Sequence, residues 1–208
     1  MHYPRILAFT ALALAATVPA SWAAYPAPII QNAQVRVTED TLQPGQGQTL
    51  SDGWPSAIVC LQGDRVSVGG MNDPFHRGEA VFVPAETKDI RNSGMHPLHI
   101  VRVAILDAGS SETWGMQGLP ASYKILLENR YARVYNIKIP AHSYGPRHTQ
   151  HGRVVIVLSG ARLEEILPDG QRQPSTLKTG EIVWHPASTH VGHNVGSTNL
   201  WVIIVEPK

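Results

Sequence analysis

The sequence predicts an all-β protein built from two copies of one barrel, and three observations carry this prediction. Two parts of the chain repeat each other, with a constant spacing over the later part of the repeat. Short runs of β-branched residues are separated by glycine and proline turns, which is typical of sandwiches and barrels. The 208 residues include 18 Gly and 16 Pro and are 43% hydrophobic. This composition is that of a globular protein, neither disordered nor collagen-like.

The repeat has no gaps in its later part. Residues 78–85 read GEAVFVPA, and residues 180–187 read GEIVWHPA. The same spacing relates Asn92 to Asn194. An asparagine at the same place in both copies indicates a structural role, in which the side-chain amide binds the backbone of a turn.

An insertion distinguishes the two copies. Residues 58–63 match residues 155–160, but the stretch that follows is five residues longer in the second copy. Residues 167–170, Leu-Pro-Asp-Gly, supply turn chemistry, so we expect the insertion to lengthen a hairpin. The strands predicted for the second copy span residues 133–139, 153–158, 162–167, 181–184 and 200–206, and residues 120–127 allow a short helical turn.

Charge and cysteine content exclude several classes of function. Lys+Arg 17 against Asp+Glu 16 leave a net charge of +1. The basic residues form no run, which argues against nucleic acid or a polybasic membrane surface as a partner. The single cysteine, Cys60, excludes an intramolecular disulfide and a CxxC site, and its apolar neighbours predict a small buried hydrophobe. The chain has ten histidines, and these are therefore the main candidates for metal-binding or catalytic residues.

Residues 1–23 have the pattern of a secretory signal peptide. Arg5 precedes an apolar stretch, and small residues at Ser21 and Ala23 precede the expected cleavage. The apolar run is shorter than the roughly 20 residues that a membrane-spanning helix needs. We therefore expect a secreted or periplasmic protein with no membrane segment after the signal is removed.

Two segments of the second copy carry a resemblance to a known family. Residues 145–160 resemble the first motif of the cupin superfamily, G-x5-H-x-H-x3,4-E-x6-G, and residues 180–194 resemble the second, G-x5-P-x-G-x2-H-x3-N. Two such copies resemble a bicupin, and the resemblance covers residues 34–208 almost entirely. It implies two tandem jelly-roll-like β-barrels. The implied units are a degenerate barrel at 24–106, a linker at 107–120 and a second barrel at 121–208.

The departures from the motifs are specific. Gln150 stands where the second histidine is usual, and Arg153 occupies the glutamate position seven residues before Gly160. In the first copy, Lys88 stands where the second copy has His190, and residues 51–56 contain no histidine. The second barrel is therefore the candidate site, and Lys88 is either a cation of a degenerate site or a solvated edge residue.

The resemblance implies one divalent transition metal, which would be Fe, Mn, Zn or Ni. The predicted ligands are His148, His190 and either Gln150 or His151. Strand alternation places His148 and Gln150 on one face and His151 on the other, although a bulge near Gly152 would reverse this. Such a centre implies a dioxygenase-, isomerase- or decarboxylase-like enzyme, or a protein that binds a metal and a small polar or anionic ligand without chemistry. Three further histidines are expected on the surface or behind the ligands: His142, His185 and His193.

An alternative interpretation needs no metal. A guanidinium that faces the cavity would repel a divalent cation but would bind a carboxylate or phosphate through paired hydrogen bonds. Arg153, with Arg147, then becomes the ligand-binding group. The objection to a metal fades if Arg153 faces outward or pairs with Glu164 or Glu165. The partner on this interpretation is a small molecule, a purely structural cupin is the remaining alternative, and exposed strand edges allow a homodimer.

Overall fold

The computed structural model describes residues 21–107 and 122–208, and in this part of the chain every regular element is a β-strand. The all-β prediction is therefore confirmed. The first copy contains ten strands: β1 (Trp22–Ala23), β2 (Ile30–Gln31), β3 (Val35–Leu42), β4 (Gly47–Thr49), β5 (Ser56–Gln62), β6 (Arg65–Val68), β7 (Met71–Pro74), β8 (Ala80–Val83), β9 (Asp89–Asn92) and β10 (Leu98–Ile105).

The second copy repeats this series from β2 onward. Its strands are β11 (Tyr123–Glu128), β12 (Ala132–Ile139), β13 (Tyr144–Gln150), β14 (Arg153–Ser159), β15 (Ala161–Ile166), β16 (Arg172–Leu177), β17 (Ile182–His185), β18 (Ser188–Asn194) and β19 (Leu200–Pro207). The residues predicted to form a helical turn are in fact largely within β11, so that prediction was wrong. Its pairing with β12 gives these residues the backbone partners that an isolated turn would lack.

Each copy folds as two facing sheets with jelly-roll-like order. The sheets of the first copy have the orders β2-β3-β10-β5-β8 and β1-β4-β9-β6-β7. Those of the second copy have the orders β11-β12-β19-β14-β17 and β13-β18-β15-β16. The sheets remain separate and are not closed into one continuous barrel, but corresponding strands occupy corresponding places in both copies.

The central strands bury both of their faces. On β14, Val154, Ile156 and Leu158 contact a cluster that contains side chains of both copies, whereas Val155 and Val157 point into the second barrel. Residues on β5 alternate in the same way. The two copies therefore pack sheet against sheet, and this explains the continuous apolar runs of these strands.

The first barrel is filled with apolar side chains. Cys60 is fully buried among them, and burial raises the pKa of its thiol to about 12. The prediction of a small buried hydrophobe is confirmed. The other residues of this interior include Leu42, Leu50, Ile58, Val66, Val68, Phe75, Val83, Ile90, Leu98 and Ile100.

The two repeated asparagines have the predicted structural role. The amide of Asn194 donates to the carbonyls of Ile139 and Thr198 at 3.0 and 2.9 Å, and its oxygen accepts from the Gly196 nitrogen at 3.0 Å. Asn92 makes the equivalent three bonds in the first copy. Both side chains are fully buried, so each fixes the turn before the last strand of its barrel.

Most of the predicted signal peptide and linker lies outside the described residues. Trp22 and Ala23, at the end of the predicted signal, pair in parallel with Gly47 and Gln48 of β4. Within the described ranges, no helix has the length and apolarity needed to cross a membrane. The insertion lies where the sequence placed it, since Gly170 adopts a φ of 84° in the turn between β15 and β16.

Candidate functional site

Strand pairing brings the two best predicted histidines together. His148 on β13 lies opposite His190 on β18, and their ring centroids are 4.6 Å apart. Both side chains point between the sheets of the second barrel because they occupy the inward positions of their strands.

The hydrogen bonds of His148 leave one of its ring nitrogens facing the cavity. Nδ1 lies 2.8 Å from the Pro146 carbonyl, which can only accept, so Nδ1 donates this bond. Nε2 faces the cavity and lies 3.2 Å from Gln150 Oε1. The buried Nε2 of Gln150 has no partner among the described residues. Whichever way the amide is turned, one of its polar atoms stays available to a ligand.

His190 is held in the neutral form. Its Nδ1 lies 3.2 Å from the Ser188 hydroxyl. Burial, together with the neighbouring His148, Arg153 and His185, lowers the pKa of His190 to about 3. An uncharged imidazole therefore faces the cavity at any physiological pH.

Arg153 points into the barrel and not toward solvent. It is 3% exposed and donates to the carbonyls of His151 and Pro186 at 3.2 and 3.0 Å, while both terminal nitrogens lie 3.4 Å from the Ser188 hydroxyl. Its Nε has no partner, and no ion pair of Arg153 occurs within the described residues. Burial lowers the pKa of the guanidinium, which nevertheless remains charged. A buried cation without a bonded carboxylate is costly unless a ligand or solvent compensates it.

The sheet that contains Arg153 carries other charged side chains on neighbouring strands. Arg133 of β12 lies opposite Glu206 of β19, and Arg153 of β14 lies opposite His185 of β17. Glu206 is buried, and this burial raises the pKa of its carboxyl. These inward positions form a polar layer at one end of an otherwise apolar barrel.

The side chains described above line a cavity of about 70 Å³. Glu165 enters it from β15, on the sheet that faces Arg153. Apolar residues form the rest of the wall. The lining comprises Tyr123, Ile137, Ile139, His148, Gln150, Arg153, Val155, Leu163, Glu165, Leu177, His185, His190, Gly192, Leu200, Val202 and Ile204.

Two of the predicted site residues lie outside the cavity. Arg147 is exposed on the outer face of β13, because it alternates with His148. His151 follows the end of β13 and is not part of the lining; its carbonyl accepts a bond from Arg153. Lys88 is exposed and solvated. Of the two alternatives for the third ligand, the geometry brings Gln150 to His148.

Three polar side chains of the lining were not predicted as site residues. His185 was expected on the surface or behind the ligands, but it lines the cavity directly. Tyr123 was missed because β11 was not predicted as a strand. Glu165 was considered only as a partner of Arg153, although the alternation of Ala161, Leu163 and Glu165 along β15 would have pointed it inward.

A larger cleft of about 540 Å³ is lined mainly by apolar side chains of β6, β7 and β8 in the first copy, together with Leu126 of β11. Its lining includes Asp73 and Glu79 but no histidine, lysine or arginine. None of the site residues predicted from the sequence therefore lines this cleft.

The residues that converge in the second barrel are an incomplete donor set for a divalent metal. Two imidazoles and one amide oxygen face each other, and among the described residues no group of three His, Cys, Asp or Glu side chains is arranged to hold a metal ion. The guanidinium of Arg153 lines the same cavity and opposes a second cation.

Solved structures with this architecture share little sequence with the chain. AerE from Microcystis aeruginosa has a TM-score of 0.63 at 14% identity, covering 88% of this chain and 97% of that one. A cupin 2 conserved barrel domain protein from Leptotrichia buccalis has a TM-score of 0.57 at 14% identity, covering 87% of both chains. The chain has the cupin fold.

A third cupin structure belongs to a metalloprotein. Oxalate decarboxylase from Bacillus subtilis, described with Mn(II) centres, has a TM-score of 0.59 at 11% identity, covering 84% of this chain and 69% of that one. No protein-family model matches the sequence, and no curated protein matches it. At these identities the likeness establishes the cupin fold, and the function must be argued from the site.

Proposed function

We propose that the second cupin barrel binds a small carboxylic acid and that Arg153 supplies the positive charge for this ligand. The observation that carries the proposal is the buried guanidinium of Arg153, which faces the cavity without an ion pair to any described carboxylate. Its sequence position is the one where the cupin motif has a metal-binding glutamate, so the charge at this position is reversed.

The size of the cavity limits the ligand. A volume of about 70 Å³ compares with roughly 10–15 Å³ for one water by the same kind of measure, so the space suits on the order of five non-hydrogen atoms. Drug-sized ligands need at least about 300 Å³. The expected ligand is therefore a carboxylic acid of two carbons or close to it.

The imidazoles of His148 and His190 lie beside the proposed ligand. His190 donates from Nε2 when the Ser188 hydroxyl donates to its Nδ1, and His148 presents Nε2 to the cavity. The free polar atom of Gln150 lies beside them. The uncharged His190 ring and the Gln150 amide can donate hydrogen bonds to a carboxylate, so they orient the ligand whose charge Arg153 neutralises.

A metal is the second candidate, and one observation favours it. His148 and His190 both bond through Nδ1 to oxygen atoms, which leaves Nε2 toward the cavity as in many metal-binding histidines. On this alternative His148, His190 and Gln150 would hold one divalent ion, which would polarise a bound oxygen. The guanidinium of Arg153 opposes this arrangement, and we rank it second.

Calorimetric titration with acetate tests the proposal. The protein is prepared without a His-tag, treated with EDTA and compared with Arg153→Gln and Arg147→Gln. We expect acetate binding by the wild type and by Arg147→Gln, whose arginine is exposed on the outer face. Binding should weaken at least tenfold in Arg153→Gln, because charge-assisted hydrogen bonds are lost. Equal affinity in both arginine variants, or no binding by the wild type, would overturn the proposal.

Elemental analysis separates the metal alternative. Protein purified without chelator should contain less than stoichiometric Mn, Fe, Zn or Ni, and acetate affinity should survive EDTA. A stoichiometric metal that is lost in His148→Ala, with acetate binding that requires it, would favour the second candidate.

Export is part of the same proposal and rests on residues 1–23. The mature protein should begin at Ala24 after expression in a Gram-negative host, as read by N-terminal sequencing of the periplasmic fraction. Retention of an intact N-terminus in the cytoplasm would contradict it.

A further inference from the structure

Two adjacent glutamates of β15 point in opposite directions. Glu164 faces outward, where its carboxylate lies 2.6 Å from the Arg172 guanidinium and 3.5 Å from His193 Nδ1. Glu165 faces inward and lines the ligand cavity. Within the described parts of the chain, neither a hydrogen bond nor an ion pair engages the Glu165 carboxylate. One carboxylate is therefore bonded within the protein, whereas its neighbour is available to a ligand.

Glu165 and Arg153 belong to different sheets that face each other across the cavity. The negative charge of Glu165 acts on Arg153 and on the His185 ring, but within the described residues Glu165 and Arg153 do not form an ion pair. The remaining titratable groups that line this space are Tyr123, His148 and His190, of which His190 is neutral. The cavity is thus polarised, with a cation on one wall and a carboxylate on the other.

A ligand that spans this space meets both charges. Its carboxylate is attracted by Arg153, and the opposite end is within reach of a hydrogen-bond acceptor that carries a negative charge. A methyl group at that end would leave the half-buried Glu165 carboxylate without a partner, and a second carboxylate would be repelled by it. A hydroxyl or ammonium group would satisfy it.

We propose that Glu165 is a specificity-determining residue and that it selects short carboxylic acids bearing a hydrogen-bond donor next to the carboxylate, such as a 2-hydroxy or 2-amino acid. The inference rests on the proposed function, because it assumes that Arg153 holds the carboxylate. It also excludes short dicarboxylates, although the cupin fold occurs in an oxalate decarboxylase.

Four probes of similar size test the inference by calorimetry: acetate, glycolate, glycine and oxalate. In the wild type, glycolate or glycine should bind at least tenfold more tightly than acetate, because a hydrogen bond to a charged acceptor is gained. Oxalate should bind more weakly than acetate. Whichever of glycolate and glycine binds more tightly shows whether the donor is a hydroxyl or an ammonium group.

Two matched variants isolate the role of Glu165. Glu165→Gln keeps the shape of the side chain but removes its charge, so the preference over acetate should fall at least fivefold while acetate affinity is kept or improved. Glu164→Gln should keep the wild-type preference, since Glu164 faces outward. An unchanged preference in Glu165→Gln, or oxalate binding as tight as that of glycolate, would overturn the inference and leave the proposed function standing. If the wild type binds none of the four probes, both the inference and the proposed function are overturned.

Discussion

The charge at residue 153 decides between the two interpretations of the second barrel. The sequence identified this position as the one where the cupin motif has a glutamate, but it did not determine whether the side chain faces inward. Arg153 follows the interior alternation of Val155 and Val157 on β14, so the guanidinium shares the cavity with His148 and His190. The side chain could have bent toward solvent, and only its contacts with Pro186 and Ser188 show that it does not.

The neutrality of His190 predicts that acid destabilises the fold. The pKa of His190 is lowered from 6.5 to about 3, whereas the unfolded chain takes up this proton near the ordinary value. Stability conferred by the neutral ring is therefore complete above about pH 6.5 and is lost as the pH falls toward 3. Between pH 7 and pH 4.5, the thermal midpoint of the wild type should fall more than that of His190→Gln.

The control for this measurement is His76→Gln, since His76 is an exposed histidine of the first copy. Its thermal midpoint should follow that of the wild type at each pH. Parallel pH profiles for the wild type and His190→Gln would contradict the placement of a neutral His190 in the cavity.

At the scale of elements, strands with two buried faces were the ones that the sequence predicted well. The runs on β14 and β19 are apolar on both faces because one face fills a barrel and the other fills the contact between the copies. By contrast, β16 was not predicted. This strand is mostly exposed and contains Pro174, so its sequence has no alternating hydrophobic pattern. It is held by backbone hydrogen bonds to β15, which a sequence pattern does not show.

The turns before β10 and β19 should depend on their asparagines. Asn194→Ala removes three hydrogen bonds and leaves buried backbone groups without partners. The free energy of unfolding should decrease by about 2 kcal/mol or more, because each orphaned buried group costs about 1–3 kcal/mol. Urea denaturation measures this loss. Lys88→Ala, at an exposed position, should change stability by less than about 0.5 kcal/mol, and an equally small change in Asn194→Ala would refute the role assigned to the amide.

At the scale of the whole molecule, the two copies share one apolar cluster. Side chains of β3, β5 and β10 meet those of β12, β14 and β19 in it. Arg77 of the first copy adds a bond to the Leu158 carbonyl and lies 5.1 Å from the ring centre of Trp201. The repeat predicted two barrels. The hydrophobic pattern of a single strand, however, does not show that its outer face is covered by the other copy.

This shared cluster predicts that the two barrels unfold together. Ile203→Ala deletes a fully buried side chain of the cluster and should destabilise the whole protein by about 2–5 kcal/mol. Differential scanning calorimetry should show one transition, shifted to lower temperature as a unit. Ile125→Ala, at a side chain that is 42% exposed, serves as the control. Two separated transitions in the variant would show that the barrels are independent.

The crystal structure of EDTA-treated protein with glycolate tests the central claim most directly, since it shows what occupies the cavity between Arg153 and His190. We expect the glycolate carboxylate at about 2.7–2.9 Å from guanidinium nitrogens of Arg153, with no metal ion beside His148. A metal ion bound to His148 and His190, or a cavity that stays empty at saturating glycolate while Arg153 pairs with Glu165, would contradict the account.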